Sequence, residues 1–234
     1  GYEHDSILSA IISPDQSMVA IGGTSKLLKV FDLASGEVLY QIMKHSEWVT
    51  QVSFSPDGIL LATADRNGGL HVWEAGTGNP FYTLLGHKAE ITDLSWRTDG
   101  NVLLSSSEDG GIRTWEMING KSVKTWTAHS EGTLSAHFDE KGKIVSSGRD
   151  KTVKLWEENG KGIRTISGFK DIVMETRLSH DGTKVISGDW NGEIKVWNAS
   201  DGELIGSLSG NPQTIQARIL QAQASLEKAR KDYD

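Results

Sequence analysis

The stretch SSSEDGGIRTWE, residues 105–116, decides the fold of this chain. Polar and apolar residues alternate on both sides of Asp109-Gly110, and Trp115 follows six residues after the Asp. Alternation with a period of two indicates a β-strand. An Asp-Gly dipeptide between two such runs indicates a hairpin, because its turn needs residues that tolerate positive φ. The stretch therefore predicts two antiparallel strands joined by a tight turn.

Similar stretches recur along the chain at a nearly constant period. SSGRDKTVKLWE occupies residues 146–157, and ISGDWNGEIKVWN occupies residues 186–198. A histidine recurs in step at His4, His45, His87 and His129. An aromatic residue followed by a polar one closes the hairpin every 41 or 42 residues, at Phe31-Asp32, Trp73-Glu74, Trp115-Glu116, Trp156-Glu157 and Trp197-Asn198.

Further turn dipeptides divide each period into four short runs. In the third period, for example, Asp99-Gly100 precedes the hairpin and Asn119-Gly120 follows it. Four strands in about 41 residues are typical of one blade of a β-propeller. The sequence therefore predicts an all-β domain over residues 1–210, built as a β-propeller with five four-stranded antiparallel blades.

The landmarks of the third period resemble those of a WD repeat. The segment GHKAEITDLSW…DG…SSSEDGGIRTWE has Gly-His near its start and Trp plus an acid at its end, and five copies cover residues 1–210. In that family a His, a Ser or Thr, an Asp and the Trp form a hydrogen-bonded tetrad. The resemblance implies structural tetrads of His87, Ser107 (or Ser105), Asp109 and Trp115 in the third repeat, and of His129, Ser146, Asp150 and Trp156 in the fourth.

Three repeats depart from the family pattern. Asn67 and Asn191 stand where the turn Asp is expected in the second and fifth repeats, and Phe169 stands where the fifth should have His. Ser25 and Phe31 weaken the first repeat. These blades are therefore expected to lack the complete network.

Propellers of the WD family usually have seven blades, and this chain shows five. The resemblance therefore implies an incomplete seven-bladed ring, with two further blades upstream in a longer chain. Each blade buries its faces against its neighbours. We expect an open arc with the first and fifth blades apart, prone to associate through the uncovered faces.

The last 24 residues, 211–234, differ in composition from the repeats. Asn211-Pro212 suits a helix start, and strong helix formers dominate the rest. Apolar residues follow a heptad spacing at Ile215, Ile219, Ala222, Leu226, Ala229 and Tyr233. The pattern predicts a C-terminal amphipathic α-helix. It either forms a coiled coil, with a partner or a second copy, or packs on the side of the propeller.

Composition argues against several classes of function. The net charge of −7 argues against a nucleic-acid partner, and no apolar run is long enough to cross a membrane. There is no Cys, hence no thiolate metal site and no haem attachment motif. The recurring histidines fall one per blade and would not converge on a metal. We therefore predict no catalytic residues, no metal and no cofactor.

A binding surface is the better functional lead. In the WD family, the loop with the His and the turn with the Asp share the upper face of the disc. Because Arg and Trp are enriched at interface hot spots, those on this face are candidates for protein binding. The alternative is an incidental surface. The candidates are Trp48 and Glu90, three residues after a His, and Arg66, Glu108, Arg149 and Trp190, just before the turn Asp or Asn.

The sequence predicts a non-catalytic protein-protein interaction scaffold of WD-repeat type. Its partners would be other proteins on the upper face and a coiled-coil partner or second copy at residues 211–234. The alternative is a docking module of a larger haem-c electron-transfer chain, because some large bacterial chains with WD repeats and a helical segment resemble this arrangement. The alternative implies the periplasm, and a scaffold otherwise implies the cytoplasm.

Overall fold

The computed structural model describes residues 5–208, 219, 220 and 222–224. Residues 5–208 form twenty β-strands. In chain order the strands are β1 (Ile7–Ile12), β2 (Met18–Gly23), β3 (Leu28–Asp32), β4 (Val38–Ile42), β5 (Val49–Phe54), β6 (Leu60–Asp65), β7 (Leu70–Glu74), β8 (Pro80–Leu84), β9 (Ile91–Trp96), β10 (Val102–Ser107), β11 (Gly111–Glu116), β12 (Lys121–Thr127), β13 (Thr133–Phe138), β14 (Ile144–Gly148), β15 (Val153–Trp156), β16 (Gly162–Ile166), β17 (Val173–Leu178), β18 (Lys184–Asp189), β19 (Ile194–Asn198) and β20 (Leu204–Leu208).

The strands form five four-stranded sheets, each built from four consecutive strands. Every pairing is antiparallel, as in the third sheet, where Leu103 of β10 lies opposite Trp115 of β11 and Trp96 of β9. The predicted all-β architecture with five four-stranded antiparallel blades is therefore confirmed for residues 5–208.

Turn chemistry explains where the strands end. In the third sheet Gly110 has φ of +82° between β10 and β11, a conformation that costs glycine little because it has no Cβ. The corresponding residue of the fourth sheet is Lys151, with φ of +60°. The neighbouring carboxylate completes the turn, since Asp109 Oδ1 accepts the Gly111 N–H at 2.9 Å.

The first strands of successive sheets pack on one another and form the inner edge of the domain. These contacts join β1 to β5, β5 to β9, β9 to β13 and β13 to β17. Apolar cores fill the spaces between sheets. The core between the second and third sheets, for example, includes Leu70, Leu103 and Trp115. Sheet packing therefore fixes the position of each turn relative to the next sheet.

The five sheets form an open series. In residues 5–208, β1 and β17 do not pack together as adjacent inner strands do. The middle strands β6, β10 and β14 are buried throughout, whereas β18 alternates between exposed and buried residues. Ile186 of β18 is 42% exposed, whereas its counterpart Leu104 in β10 is fully buried. Within residues 5–208, the first and fifth sheets therefore each keep a face without a neighbouring sheet.

Most of the predicted C-terminal helix lies outside the described residues. Ile219, Leu220 and residues 222–224 are helical and exposed, and the rest of the predicted heptad seam lies in the part not described. His4 is also outside the described residues. In the part of the chain that is described, no helix has the length and apolarity needed to span a membrane.

Candidate protein-interaction face

Each sheet has two ends with different chemistry. At one end lie the turn between the second and third strands and the start of the inner strand; we call it the tetrad end. The other two turns lie at the opposite end, because the strands alternate in direction. Main-chain hydrogen bonds tie the tetrad end together in the same way in all five sheets. A residue at the hairpin turn donates its N–H to a carbonyl of the segment at the start of the inner strand. The pairs are Thr24 to Ser6, Arg66 to Trp48, Glu108 to Glu90, Arg149 to Gly132 and Trp190 to Ile172.

The third sheet contains a four-membered side-chain network at this end. Trp115 Nε1–H donates to Ser105 Oγ at 2.9 Å, and Ser105 Oγ lies 2.8 Å from His87 Nε2. His87 Nδ1 lies 3.0 Å from Asp109 Oδ2. Because the Asp109 carboxylate can only accept, Nδ1 carries the proton and Nε2 accepts the Ser105 hydroxyl. Every member is therefore satisfied.

Ser107, predicted for this tetrad, is not a member of it. Its hydroxyl instead donates to Ala89 C=O at 3.2 Å and accepts the Asp109 N–H at 3.1 Å. Ser105 and Ser107 lie on the same face of β10, so alternation alone does not separate them. The spacing to the Trp distinguishes the two serines, because Ser105 lies ten residues before Trp115, as Ser146 lies ten before Trp156.

The fourth sheet brings together the four residues predicted for its tetrad. Trp156 Nε1–H donates to Ser146 Oγ at 2.9 Å, and Ser146 Oγ lies 2.9 Å from His129 Nε2. His129 Nδ1 lies 2.7 Å from Asp150 Oδ1. Lys154 Nζ also contacts Asp150, at 3.2 Å. This sheet therefore adds a cation to the network.

The second sheet has a complete network, which corrects the prediction that Asn67 would break it. The carboxylate comes from Asp65, two residues earlier, whose Oδ2 lies 2.9 Å from His45 Nδ1. Thr63 Oγ1 accepts Trp73 Nε1–H and lies 2.8 Å from His45 Nε2. Asn67 contributes only its N–H, which Asp65 Oδ1 accepts at 2.9 Å.

The fifth sheet has the incomplete network that the sequence predicted. Trp197 Nε1–H donates to Ser187 Oγ at 2.9 Å, but Phe169 lies against Trp197 in place of the histidine. As a result, Asp189 Oδ2 is buried and has no hydrogen-bond partner among the described residues. Lys195 Nζ lies 5.3 Å from the Phe169 ring centroid, so a cation–π contact occupies part of this site.

The tetrad carboxylates keep their charge despite burial. Burial opposes ionisation of Asp109, but the hydrogen bond from His87 and two main-chain N–H donors hold its pKa well below the usual range. Burial likewise opposes ionisation of Asp150, and bonds from Thr152 and His129 lower its pKa. Burial lowers the pKa of His129 itself, although Asp150 favours its protonated form. The networks therefore rest on ionised carboxylates.

A Ser-His-Asp arrangement is also the geometry of a hydrolytic triad, but a substrate cannot reach the serine hydroxyls of these tetrads. The hydroxyls of Ser105 and Ser146 are fully buried, and each also accepts a Trp indole N–H. A nucleophile must reach the substrate, and these hydroxyls face the space between sheets. The tetrads are therefore structural clamps at the ends of hairpins.

Exposed side chains at the tetrad end form a continuous row across three sheets. The Arg66 guanidinium lies 4.7 Å from the Trp48 ring centroid, and its Nε lies 3.7 Å from Glu90 Oε2. Arg149 Nη2 lies 2.5 Å from Glu108 Oε1. Burial and the nearby Glu108 charge raise the pKa of Glu90. The structure thus joins five candidate residues, Glu108 among them, into one surface on which two Glu carboxylates lie between two Arg side chains.

Trp190 occupies the equivalent position of the fifth sheet. Its side chain is 66% exposed, more than that of Trp48 at 38%. The turn that carries it, between β18 and β19, is closed by main-chain bonds to Asp189 and by Asp189 Oδ1. The hydrogen bonds that close the turn therefore do not involve the indole ring.

Comparison with known proteins places this architecture in a family. The family model WD40, described as WD domain, G-beta repeat, matches residues 36–74, 78–116, 120–157 and 160–198. The chain belongs to the WD40 repeat family. The four WD40 matches cover most of the chain, and the first sheet adds three strands upstream of them with the same topology.

Two groups of proteins illustrate the likeness. The small ribosomal subunit protein RACK1 of Dictyostelium discoideum is 35% identical over 66 residues, 25% of this chain and 20% of that protein. Apoptotic protease-activating factor 1 of Rattus norvegicus is 36% identical over 84 residues, 35% of this chain and 7% of that protein. Among solved structures, U3-55K and the WD40 repeats of RRP9 both have a TM-score of 0.81 at 23% identity.

The matched part is shorter than these relatives. It covers 89% of this chain, but 65% of the U3-55K chain and 64% of the RRP9 chain. At this identity the structural likeness shows the fold alone. It agrees with the tetrads and the sheet order in assigning the chain to the WD40 propellers.

Proposed function

We propose that this chain is a non-catalytic protein-protein interaction scaffold, and that its partners contact the tetrad end. The observation that carries the proposal is Trp190, a large aromatic side chain 66% exposed in a turn that folds without it. Trp side chains at protein interfaces contribute disproportionately to binding, because they bury a large area with few rotatable bonds.

The row from Trp48 to Arg149 supports the same surface. Its cation–π contact and two Arg–Glu pairs hold long side chains in defined positions before a partner arrives. Preorganised side chains lose less conformational entropy on binding. The partner would therefore be a protein segment with an apolar group for Trp190 and polar groups of both signs for the row.

We further propose that residues 1–210 act as one domain within a closed ring of seven blades, and residues 211–234 as a separate helical segment. The exposed Ile186 supports the ring, because its counterpart Leu104 is buried where a neighbouring sheet is present. The five exposed helical residues 219, 220 and 222–224 support the segment. A coiled coil stays a prediction from the heptad spacing.

No observation in the described residues favours the alternative docking module of a haem-c chain. The sequence has no Cys and therefore no haem attachment motif of its own. The scaffold is the function that we put forward.

The proposal is tested by affinity capture from an extract of the source cells. The immobilised chain is compared with Trp190→Ala and Arg149→Glu at the tetrad end. Ile118→Ala is the matched control, because Ile118 is 76% exposed in a turn at the opposite end. We expect both tetrad-end variants to lose proteins that the parent and the control retain. Identical captured sets for all four proteins would contradict the proposal.

A further inference from the structure

Three side chains of metal-ligating types, none of them a member of a tetrad, converge on the inner edge. Asp93 lies on β9, His137 on β13 and Glu175 on β17, so three successive inner strands contribute one residue each. His137 Nε2 lies 2.6 Å from Asp93 Oδ2 and 3.3 Å from Glu175 Oε1. The three candidate ligand atoms all lie within 4.8 Å of one another.

In the described residues, the imidazole nitrogen at the centre of this cluster, His137 Nε2, makes no hydrogen bond. His137 Nε2 is buried, and in the described residues no hydrogen-bond donor or acceptor meets it with acceptable geometry, despite its short distance from Asp93. Its side chain is 12% exposed. A buried polar atom without a hydrogen bond is costly, and a bound cation would satisfy it.

Hydrogen bonds from neighbouring groups fix the positions of the two carboxylates. Asp93 Oδ1 accepts the Leu94 N–H at 2.8 Å, and Asp93 Oδ2 accepts the Ala136 N–H at 3.1 Å. Glu175 Oε1 accepts the Ser135 hydroxyl at 3.1 Å. Bonds of this kind orient metal ligands in proteins and keep one lone pair free for the ion.

Charge at the cluster favours a divalent cation. The carboxylates of Asp93 and Glu175 both lie against the imidazole of His137, so the ligand set offers two negative charges to a cation. Arg177 Nη2, 3.5 Å from Glu175 Oε1, is the cation next to them. Its single positive charge offsets the two carboxylates only in part.

We propose that Asp93, His137 and Glu175 bind a Zn²⁺ ion at the inner edge of the arc, with one coordination position left open. One imidazole and two carboxylates match the nitrogen and oxygen ligands of zinc, and three protein ligands are typical of sites with an exchangeable fourth ligand. Mg²⁺ and Ca²⁺ prefer all-oxygen sites, so the imidazole disfavours them.

Two separations in the cluster can be compared with those of a tetrahedral zinc site. Two ligands of a tetrahedral zinc ion lie about 3.4 Å apart when each bond is about 2.1 Å long. The 3.3 Å between His137 Nε2 and Glu175 Oε1 already matches this separation. The Asp93 carboxylate must open by roughly 0.8 Å from the imidazole to reach it. A bound ion would tie the third, fourth and fifth sheets together and leave its open position on the solvent side, where Glu175 is 56% exposed.

The first test is isothermal titration of the metal-free chain with Zn²⁺, alongside thermal melts with and without the ion. We expect one site per chain and a higher Tm with Zn²⁺, because a ligand that binds only the folded state stabilises it. Glu175→Gln removes a ligand charge from a half-exposed side chain, so the fold is preserved. It should weaken Zn²⁺ binding by about 100-fold or more.

His180→Ala is the matched control. His180 is 90% exposed and lies 3.5 Å from Glu140, so it is where surface zinc would bind adventitiously. We expect His180→Ala to bind Zn²⁺ like the parent and His137→Ala to lose the site. Co²⁺ in place of Zn²⁺ should give visible absorption bands of a four-coordinate ion, lost in Glu175→Gln. Equal binding by the parent and Glu175→Gln, loss of binding only in His180→Ala, or no binding by the parent would overturn the proposal.

Discussion

At the scale of single residues, the tetrad carboxylate can come from two positions of one turn. Asp65 ends β6, and Asp109 stands two residues later in the corresponding turn, yet each places Oδ2 about 3 Å from a histidine Nδ1. Each also accepts main-chain N–H groups of its turn, Asn67 and Gly69 for Asp65 and Gly111 for Asp109. The geometry of the carboxylate is therefore maintained although its position in the sequence is not.

Removal of the Asp109 carboxylate should destabilise the chain far more than removal of a surface carboxylate. Asp109→Ala leaves His87 Nδ1–H and the Lys88 and Gly111 N–H groups without their acceptor. We expect a loss of about 2–4 kcal/mol in the free energy of unfolding, measured by urea denaturation.

Asp99→Ala is the control. Asp99 is 44% exposed in a turn at the opposite end, where it pairs with Arg97 at 2.7 Å. Exposed pairs contribute roughly 1 kcal/mol or less. Equal midpoints of unfolding for the two variants would show that the tetrad does not stabilise the third sheet.

The stabilising effect of Asp109 should depend on pH. Its pKa in the folded chain lies below the unfolded value of about 3.9, so its contribution is complete above that value and is lost as the pH falls towards the folded-state pKa. We expect the stability difference between the parent and Asp109→Asn to be constant from pH 7 to about 5 and to shrink below about 4. A difference that grows on acidification would contradict the assignment of an ionised Asp109.

At the scale of elements, the hairpin turn of one sheet lies against the next sheet. A Cβ on Gly110 would lie 2.5 Å from His129 C=O, and one on Gly68 would lie 2.8 Å from His87 C=O. In the part of the chain that the structure describes, nothing lies within 4 Å of such an atom at the equivalent Gly192 of the fifth sheet. One turn conformation therefore has two environments, according to whether another sheet follows.

Gly110→Ala and Gly192→Ala separate backbone strain from packing. Both residues have φ near +80°, where an L side chain costs roughly 1–2 kcal/mol. Lys151 adopts the same region in the fourth sheet, so the turn accepts a side chain. We expect Gly192→Ala to cost only the strain and Gly110→Ala clearly more, because a main-chain carbonyl must move. Equal losses in chemical denaturation would show that sheet contact adds nothing at this turn.

The strands and sheets could be predicted from the sequence because each depends on local signals repeated in register. Alternation and turn dipeptides define β10 and β11 without reference to any other sheet. Asp65 was missed because Asn67 occupies the expected position, and only the folded turn shows that a carboxylate two residues earlier reaches His45. The Asp93, His137 and Glu175 cluster was missed because His137 is the fifth residue of β13, whereas Asp93 and Glu175 are the third residues of β9 and β17, so a search for the repeat does not align the three.

At the scale of the whole molecule, the first and fifth sheets each expose apolar side chains on a face that no other described sheet covers. Ile7 and Ile12 of β1 are 62% and 52% exposed, and Met174 and Ile186 of the fifth sheet are 37% and 42% exposed. Contiguous apolar surface of this kind favours association in water. The chain is therefore expected to be soluble only at low concentration or with these faces covered.

Self-association of the isolated chain is the measurable consequence. We expect sedimentation equilibrium to show an average mass that rises with concentration. The double change Met174→Lys with Ile186→Lys should lower it by placing like charges on the face. Ile118→Lys, at an exposed position at the opposite end, is the control and should leave it unchanged. A constant mass of 25.5 kDa over all concentrations would contradict the prediction.

The four family matches and the four-stranded sheets are out of phase by one strand. The match at residues 78–116 contains β8, the outer strand of the second sheet, followed by β9, β10 and β11 of the third. If that segment were lost, β12 would follow β7 and take the outer place that β8 had held, so every remaining sheet would still have four strands. Gain or loss of one segment by recombination would thus change the number of sheets in the arc. It would not expose the hydrogen-bonding edge of any further strand. Repeat number is in this way a quantity that evolution can vary in whole steps on this backbone.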